Sequence, residues 1–140
     1  MLACEFGKHE VVAALLREDA HMRLELDVKN EYQYTALILA AEYGHLECVK
    51  LLVEAEAALD LDNKFGKTAL IMAAENGKDA IVRLLCESGA NVNACSKRGV
   101  SALMLAAVKG HFAVVKILTE HSANIHIVNK DQVRFVYTLI

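Results

Sequence analysis

Three consecutive residues have the look of a phosphate cradle. Gly66-Lys67-Thr68 reproduces the end of the loop in which backbone N–H groups, a lysine and a hydroxyl surround a nucleotide phosphate. That loop needs a glycine five residues earlier, and the position holds Leu61, so the tripeptide reads as a turn followed by a helix start. The 6 histidines are dispersed, without metal-ligand spacing. His45 and His111 each follow a helix-ending glycine, where the ring is expected to support the turn. The 4 cysteines include no CxxC pair, and Cys4, Cys48 and Cys86 fall at small apolar positions of helical patterns, as reduced core thiols do. Cys95 stands in a polar segment, with only Lys97 and Arg98 nearby to lower its pKa. No serine has a matching His and Asp pattern, and no carboxylate pair falls where a pocket would form. The chain is therefore not expected to be an enzyme, and no catalytic residue, metal ligand or cofactor is expected.

Composition narrows the partner. A formal net charge of -3 argues against nucleic acid, which calls for a basic stripe to displace counterions from phosphate. Hydrophobic residues make up 55 % of the chain, yet the apolar runs are short pieces such as Ala36 to Ala41, far below the roughly 20 residues of a membrane span. The opening Met1-Leu2-Ala3-Cys4 lacks the basic region and apolar core of a lipoprotein leader. An intracellular chain is expected, cytoplasmic or nuclear, with neither nucleic acid nor membrane as partner. The lack of proline and the low glycine content leave no candidate linker.

The elements that must position any site repeat. Thr68-Ala69-Leu70-Ile71-Met72-Ala73-Ala74-Glu75-Asn76-Gly77 reads as a short apolar helix with a threonine start and a glycine stop. Near copies begin at Thr35 and Ser101, so the period is 33 residues twice over. A fixed period of that length means stacked supersecondary units. After each glycine comes a second helical pattern, with Leu46, Val49, Leu52 and Val53 on one face in the first copy. The later copies repeat the face with Ala80, Ile81, Leu84 and Leu85, then with Phe112, Val115, Ile117 and Leu118. Two antiparallel helices joined by a glycine turn form the unit. A polar segment such as Ser88 to Val100 links one unit to the next as a projecting hairpin finger, with Gly89 suited to a left-handed helix end and Gly99 to a tight turn.

Ser88 to Ala94, with Ser101, Ala106-Ala107 and Gly110-His111, resembles the ankyrin repeat. The resemblance covers residues 2 to 132 and implies an all-α solenoid of stacked antiparallel helix pairs with projecting hairpin loops. It divides residues 1–140, read as a single domain, into full repeats at 26–58, 59–91 and 92–124, with partial repeats at 1–25 and 125–140. The first partial repeat starts inside its first helix, since Leu2 to Gly7 parallels Leu39 to Gly44.

Several positions depart from the family pattern. Where the family has Thr-Pro-Leu-His, this chain has Thr35-Ala36-Leu37-Ile38 and its relatives, so the preset φ of proline and the histidine hydrogen bonds to the finger are missing. Glu56 and Ser122 occupy the Gly89 position, and Gln33 and Gln132 replace the finger glycines at 66 and 99. About four extra residues between Arg17 and Lys29 are expected to lengthen a helix or bulge a finger around His21 to Leu24. The tail fits worst, with Arg134 where Thr or Ser belongs and Leu139-Ile140 where the alanine pair belongs. It is expected to fray or to pack in its own way.

The resemblance also implies a function, which is to hold another protein against the concave groove formed by fingers and inner helices. Tyr32, Tyr34 and Phe65 on the fingers, with Phe6 and Tyr43 after the inner helices, point into that groove; the other reading is that these rings pack between fingers. Glu5, Glu42 and Glu75 form an acidic line on the inner helices, and Lys64, Lys67, Lys97 and Arg98 gather on adjacent fingers. The expected contacts are Tyr32, Tyr34, Tyr43, Lys64, Phe65, Lys67, Glu75, Arg98 and Lys109, on a monomer. Two alternatives share this fold: a free-standing regulator or inhibitor of an enzyme such as a kinase, and a structural segment of a longer array.

Overall fold

A computed structural model describes residues 1–18 and 25–126, and the regular elements among them are helices. They are α1 Leu2–Glu5, α2 His9–Glu18, α3 Ala36–Tyr43, α4 Leu46–Glu54, α5 Ala69–Glu75, α6 Asp79–Glu87, α7 Ala102–Lys109 and α8 Phe112–Glu120. The lengthened helix or bulge expected around His21 to Leu24 lies outside the described residues, as does the tail from 127 to 140.

Each inner helix starts where the sequence places a hydroxyl. Thr35, Thr68 and Ser101 are extended, and their side-chain oxygens accept the N–H of Ile38, Ile71 and Met104 at 3.2, 3.3 and 3.3 Å. A cap of this kind is worth about 1 kcal/mol. Helices α1, α3, α5 and α7 pack side by side as an inner layer, and α2, α4, α6 and α8 form the outer layer. The interface holds Leu37 and Ile38, then Leu70 and Ile71, then Leu103 and Met104, all at most 2 % exposed. Ala40, Ala41, Ala73, Ala74 and Ala106 have no exposed surface. Small side chains let the helices approach closely, and a larger residue there would overpack the stack by about 1–3 kcal/mol.

The outer helices bury Val49, Leu52, Ile81, Leu85, Val115, Ile117 and Leu118 as their spacing predicts. Ala80 and Phe112 correct that reading, because both are exposed, Phe112 at 81 %. In α6 the buried stripe runs through Ile81, Val82, Leu85 and Cys86, and Ala80 falls to one side of it. Phe112 opens α8, its register mate Leu46 is itself only half-buried, and no helix pair follows α8 among the described residues.

Side chains two places along the same period hold the fingers. Asn30 Oδ1 accepts the N–H groups of Tyr32 and Tyr34, Asn63 Oδ1 those of Phe65 and Lys67, and Ser96 Oγ that of Val100. Between units, Asp27, Asp60 and Asn93 accept the N–H of Ala58, Asn91 and Asn124 at 2.9, 2.8 and 2.7 Å. These two ladders fix the finger backbone and tie each unit to the next through side-chain acceptors. Gln33 takes φ 64° where Gly66 has 75°. A Cβ at Gly66 would come within 2.6 Å of Lys97 N. The finger carrying Gly66 bonds its neighbour through Lys97 N to Phe65 O at 3.0 Å, whereas the finger carrying Gln33 does so through Lys64 N to Tyr32 O at 3.4 Å. The added side chain and the longer bond occur at the same place.

Candidate protein-binding groove

Residues of the finger tips and of the C-terminal ends of the inner helices line two adjoining hollows. The first, of about 370 Å³, is lined by Glu5, Asn30, Tyr32, Tyr34, Leu39, Glu42, Tyr43, Lys64 and Phe65. The second, of about 290 Å³, is lined by Tyr34, Glu42, Phe65, Lys67, Met72, Glu75, Asn76 and Lys109. Tyr34, Glu42 and Phe65 form the wall between them. Eight of the nine expected contact residues therefore line one hollow or both, and Arg98 is exposed on the next finger and lines neither.

The rings divide into two kinds. Tyr32, Tyr43 and Phe65 keep 54, 50 and 51 % of their surface exposed, while Tyr34 is half-buried and packs against the core. Packing into the scaffold thus describes Tyr34, and the other three rings keep about half their surface in the open. Lys64 Nζ sits 4.6 Å from the Tyr32 ring centre and 4.9 Å from that of Phe65, so the two rings already present their faces to a cation.

The charges are unevenly matched. Lys67 Nζ reaches Glu75 Oε2 at 2.6 Å, tying the second finger to α5. Burial pushes the Glu42 carboxyl above its ordinary 4.5; repulsion from Glu75 and Glu5 adds to the shift and Lys67 opposes it. Burial, then Glu42, likewise raises the Tyr34 hydroxyl, and the Asn63 amide works against that shift. Asn63 Nδ2 is buried and makes no well-formed hydrogen bond among the described residues, and Tyr34 is its polar neighbour.

The histidines act one unit away from where the sequence places them. His45 Nε2 donates to the Glu5 carbonyl at 2.8 Å and His111 Nε2 to that of Glu75 at 3.0 Å. Each ring therefore closes the turn of the preceding unit, and a Cβ at Gly7 or Gly77 would strike it at 2.6 or 2.7 Å. Thr68 caps α5 and Lys67 is bonded to Glu75, so Gly66-Lys67-Thr68 is a finger turn and helix start. Cys4, Cys48 and Cys86 are buried free thiols, and burial raises Cys4 and Cys86 to about 11. Cys95 is exposed, and partial burial raises its pKa.

The model for ankyrin repeats (3 copies) matches residues 1–62 and 55–131. The chain belongs to the ankyrin-repeat family. No curated protein matches it. Ankyrin repeats are in general protein-interaction modules, typically without enzymatic activity. Among the described residues no helix is long and apolar enough to cross a membrane.

Sequence reasoning named aromatic and basic residues that line the two hollows and left out Asn30, Leu39 and Met72, which line them too. It noted Glu5 and Glu42 as part of an acidic line without counting them as contacts. Asn30, Asn63 and Ser96 are spaced by the repeat period, as are Asp27, Asp60 and Asn93, and that recurrence was the signal that could have found both ladders.

Proposed function

We propose that this ankyrin-repeat chain captures a partner protein on the concave groove, by contact with preformed hollows and without chemistry. The observation that carries the reading is the half-exposure of Tyr32, Tyr43 and Phe65 around one hollow, on a scaffold whose other large apolar side chains mostly pack in its core. Aromatic side chains bury large areas with few rotors to freeze, so they anchor interfaces well. Lys109 adds charge at one end and Lys64 covers the Tyr32 and Phe65 rings at the other, while Lys67 and Glu75 neutralise each other and contribute shape. Arg98 extends the contact along the neighbouring finger. The working unit is a monomer of repeats 26–58, 59–91 and 92–124 with partial repeats on either side, and its free buried thiols suit an intracellular setting.

The test is selection of random displayed peptides on the whole chain, followed by binding to a Tyr43→Ala/Phe65→Ala variant. Selected peptides are expected to lose about tenfold or more in affinity for the variant, with helical circular dichroism and melting temperature nearly unchanged. Peptides that bind both equally well, or a variant that unfolds, would overturn the reading.

A further inference from the structure

Units one repeat apart carry the same groove positions with different residues. On the second finger Lys67 reaches Glu75, and one period earlier the matching positions hold Tyr34 and Glu42. One period later they hold Val100 and Val108, so there the charge is absent altogether. A phenol supplies no positive charge, and among the described residues Glu42 makes no ion pair. Glu5 and Glu75 face it with like charge, Tyr34 stands beside it, and the nearby ammonium of Lys67 is engaged by Glu75. The second unit shows what a cation does at this register: it bonds the carboxylate at 2.6 Å.

Glu42 also borders the first hollow. Glu5 lines it too, and the rings of Tyr32, Tyr43 and Phe65 wall it. Two carboxylates stand against one ammonium, that of Lys64, which lies on ring faces at the rim. An acidic group entering here would meet two like charges, and an apolar one would strip water from both carboxylates without replacing it.

We infer, building on the groove reading above, that the hollow between Glu5 and Glu42 receives a lysine or arginine side chain of the partner protein, whose charge meets Glu42 as Lys67 meets Glu75. The stem of that side chain lies along the rings, where cation and aromatic face attract. Lys64 is then an internal competitor, a cation already on two of the rings that swings aside when the partner binds.

The same displayed random peptides test this on the whole chain. The selected sequences are expected to share one Lys or Arg at a fixed position, and changing it to Gln should weaken binding about tenfold. Glu42→Gln should cost about as much, with no further loss when the peptide carries Gln as well. Lys64→Gln should tighten binding, a gain that a merely structural change would not give. Glu54→Gln on the outer helix α4 removes an equal charge from the far face and should leave affinity unchanged; melting curves check that each variant folds.

Peptides with no fixed cation, or peptide and Glu42 changes whose losses simply add, overturn the inference. If such peptides still lose affinity for Tyr43→Ala/Phe65→Ala, the groove reading stands and only the cation fails. Peptides indifferent to that variant, or a library that yields none, overturn both.

Discussion

Glu42 and Glu75 end equivalent inner helices one repeat apart, on the same scaffold and with the same buried Leu-Ile and Ala-Ala pairs beneath them. Glu75 is bonded to Lys67; Glu42 faces a tyrosine and two other carboxylates. The repeat scaffold holds the backbone fixed, so the difference between the two places is chemical. One carboxylate is tied to a finger by an ion pair, and the other makes none among the described residues and is held above its ordinary pKa by burial. Repetition makes this visible, since each unit serves as the reference for the next.

The comparison breaks first if the two cores are unequal. Leu37 and Leu70 occupy the same register and are 2 % and 1 % exposed, so Leu37→Ala and Leu70→Ala should each destabilise by about 2–5 kcal/mol, and by similar amounts. Urea melts that give clearly different losses would mean that packing, and not charge alone, separates the units. Lys67→Met leaves Glu75 without its partner; because the pair is partly exposed, at 25 and 22 %, the expected loss is about 1 kcal/mol, between surface and buried values. A change within error would show that the bond at Glu75 contributes nothing and that the two carboxylates are alike.

The helix ends sharpen the contrast further. Gly89 has φ 93°, while Glu56 and Ser122 carry side chains at φ 66° and 64° in the corresponding places. Glu56→Gly or Ser122→Gly should raise stability by up to about 1 kcal/mol, read from thermal or urea melts. A loss on both would show that these residues make contacts worth more than the backbone strain. Glu42→Gln gives the smallest effect. With its pKa raised in the folded state, Glu42 holds a proton more firmly folded than unfolded, so its ionised form weakens the fold at neutral pH. The glutamine variant should therefore be more stable at pH 7 by about half a kcal/mol, typical of part-exposed charges. The gain should disappear as pH falls through the raised pKa toward 4.5. A gain that persists in acid would assign the effect to packing.

Much of this was legible in the sequence, because a period is a global signal. Thr35, Thr68 and Ser101 fixed the starts of the inner helices, and the alanine pairs marked where helices touch. Glu56, Ser122 and Gln33 stood where the repeat calls for glycine, and all three take left-handed backbone. Periodicity within one helix was a weaker guide, as Phe112 and Ala80 show: it marks a face but not whether a neighbour covers that face. Contacts between units were least legible. That His45 and His111 reach back to the preceding turn, or that Tyr34 stands without charge opposite Glu42, depends on the distance between repeats, which no single repeat encodes.

The measurement that bears most directly on the account is the titration of the Glu42 side-chain carboxyl, followed by carbon NMR of the folded chain. A midpoint above 4.5 is expected, because the group is partly buried, has like charges beside it and makes no ion pair among the described residues. A midpoint at or below 4.5 would mean that Glu42 is already satisfied, and the contrast with Glu75 would fall.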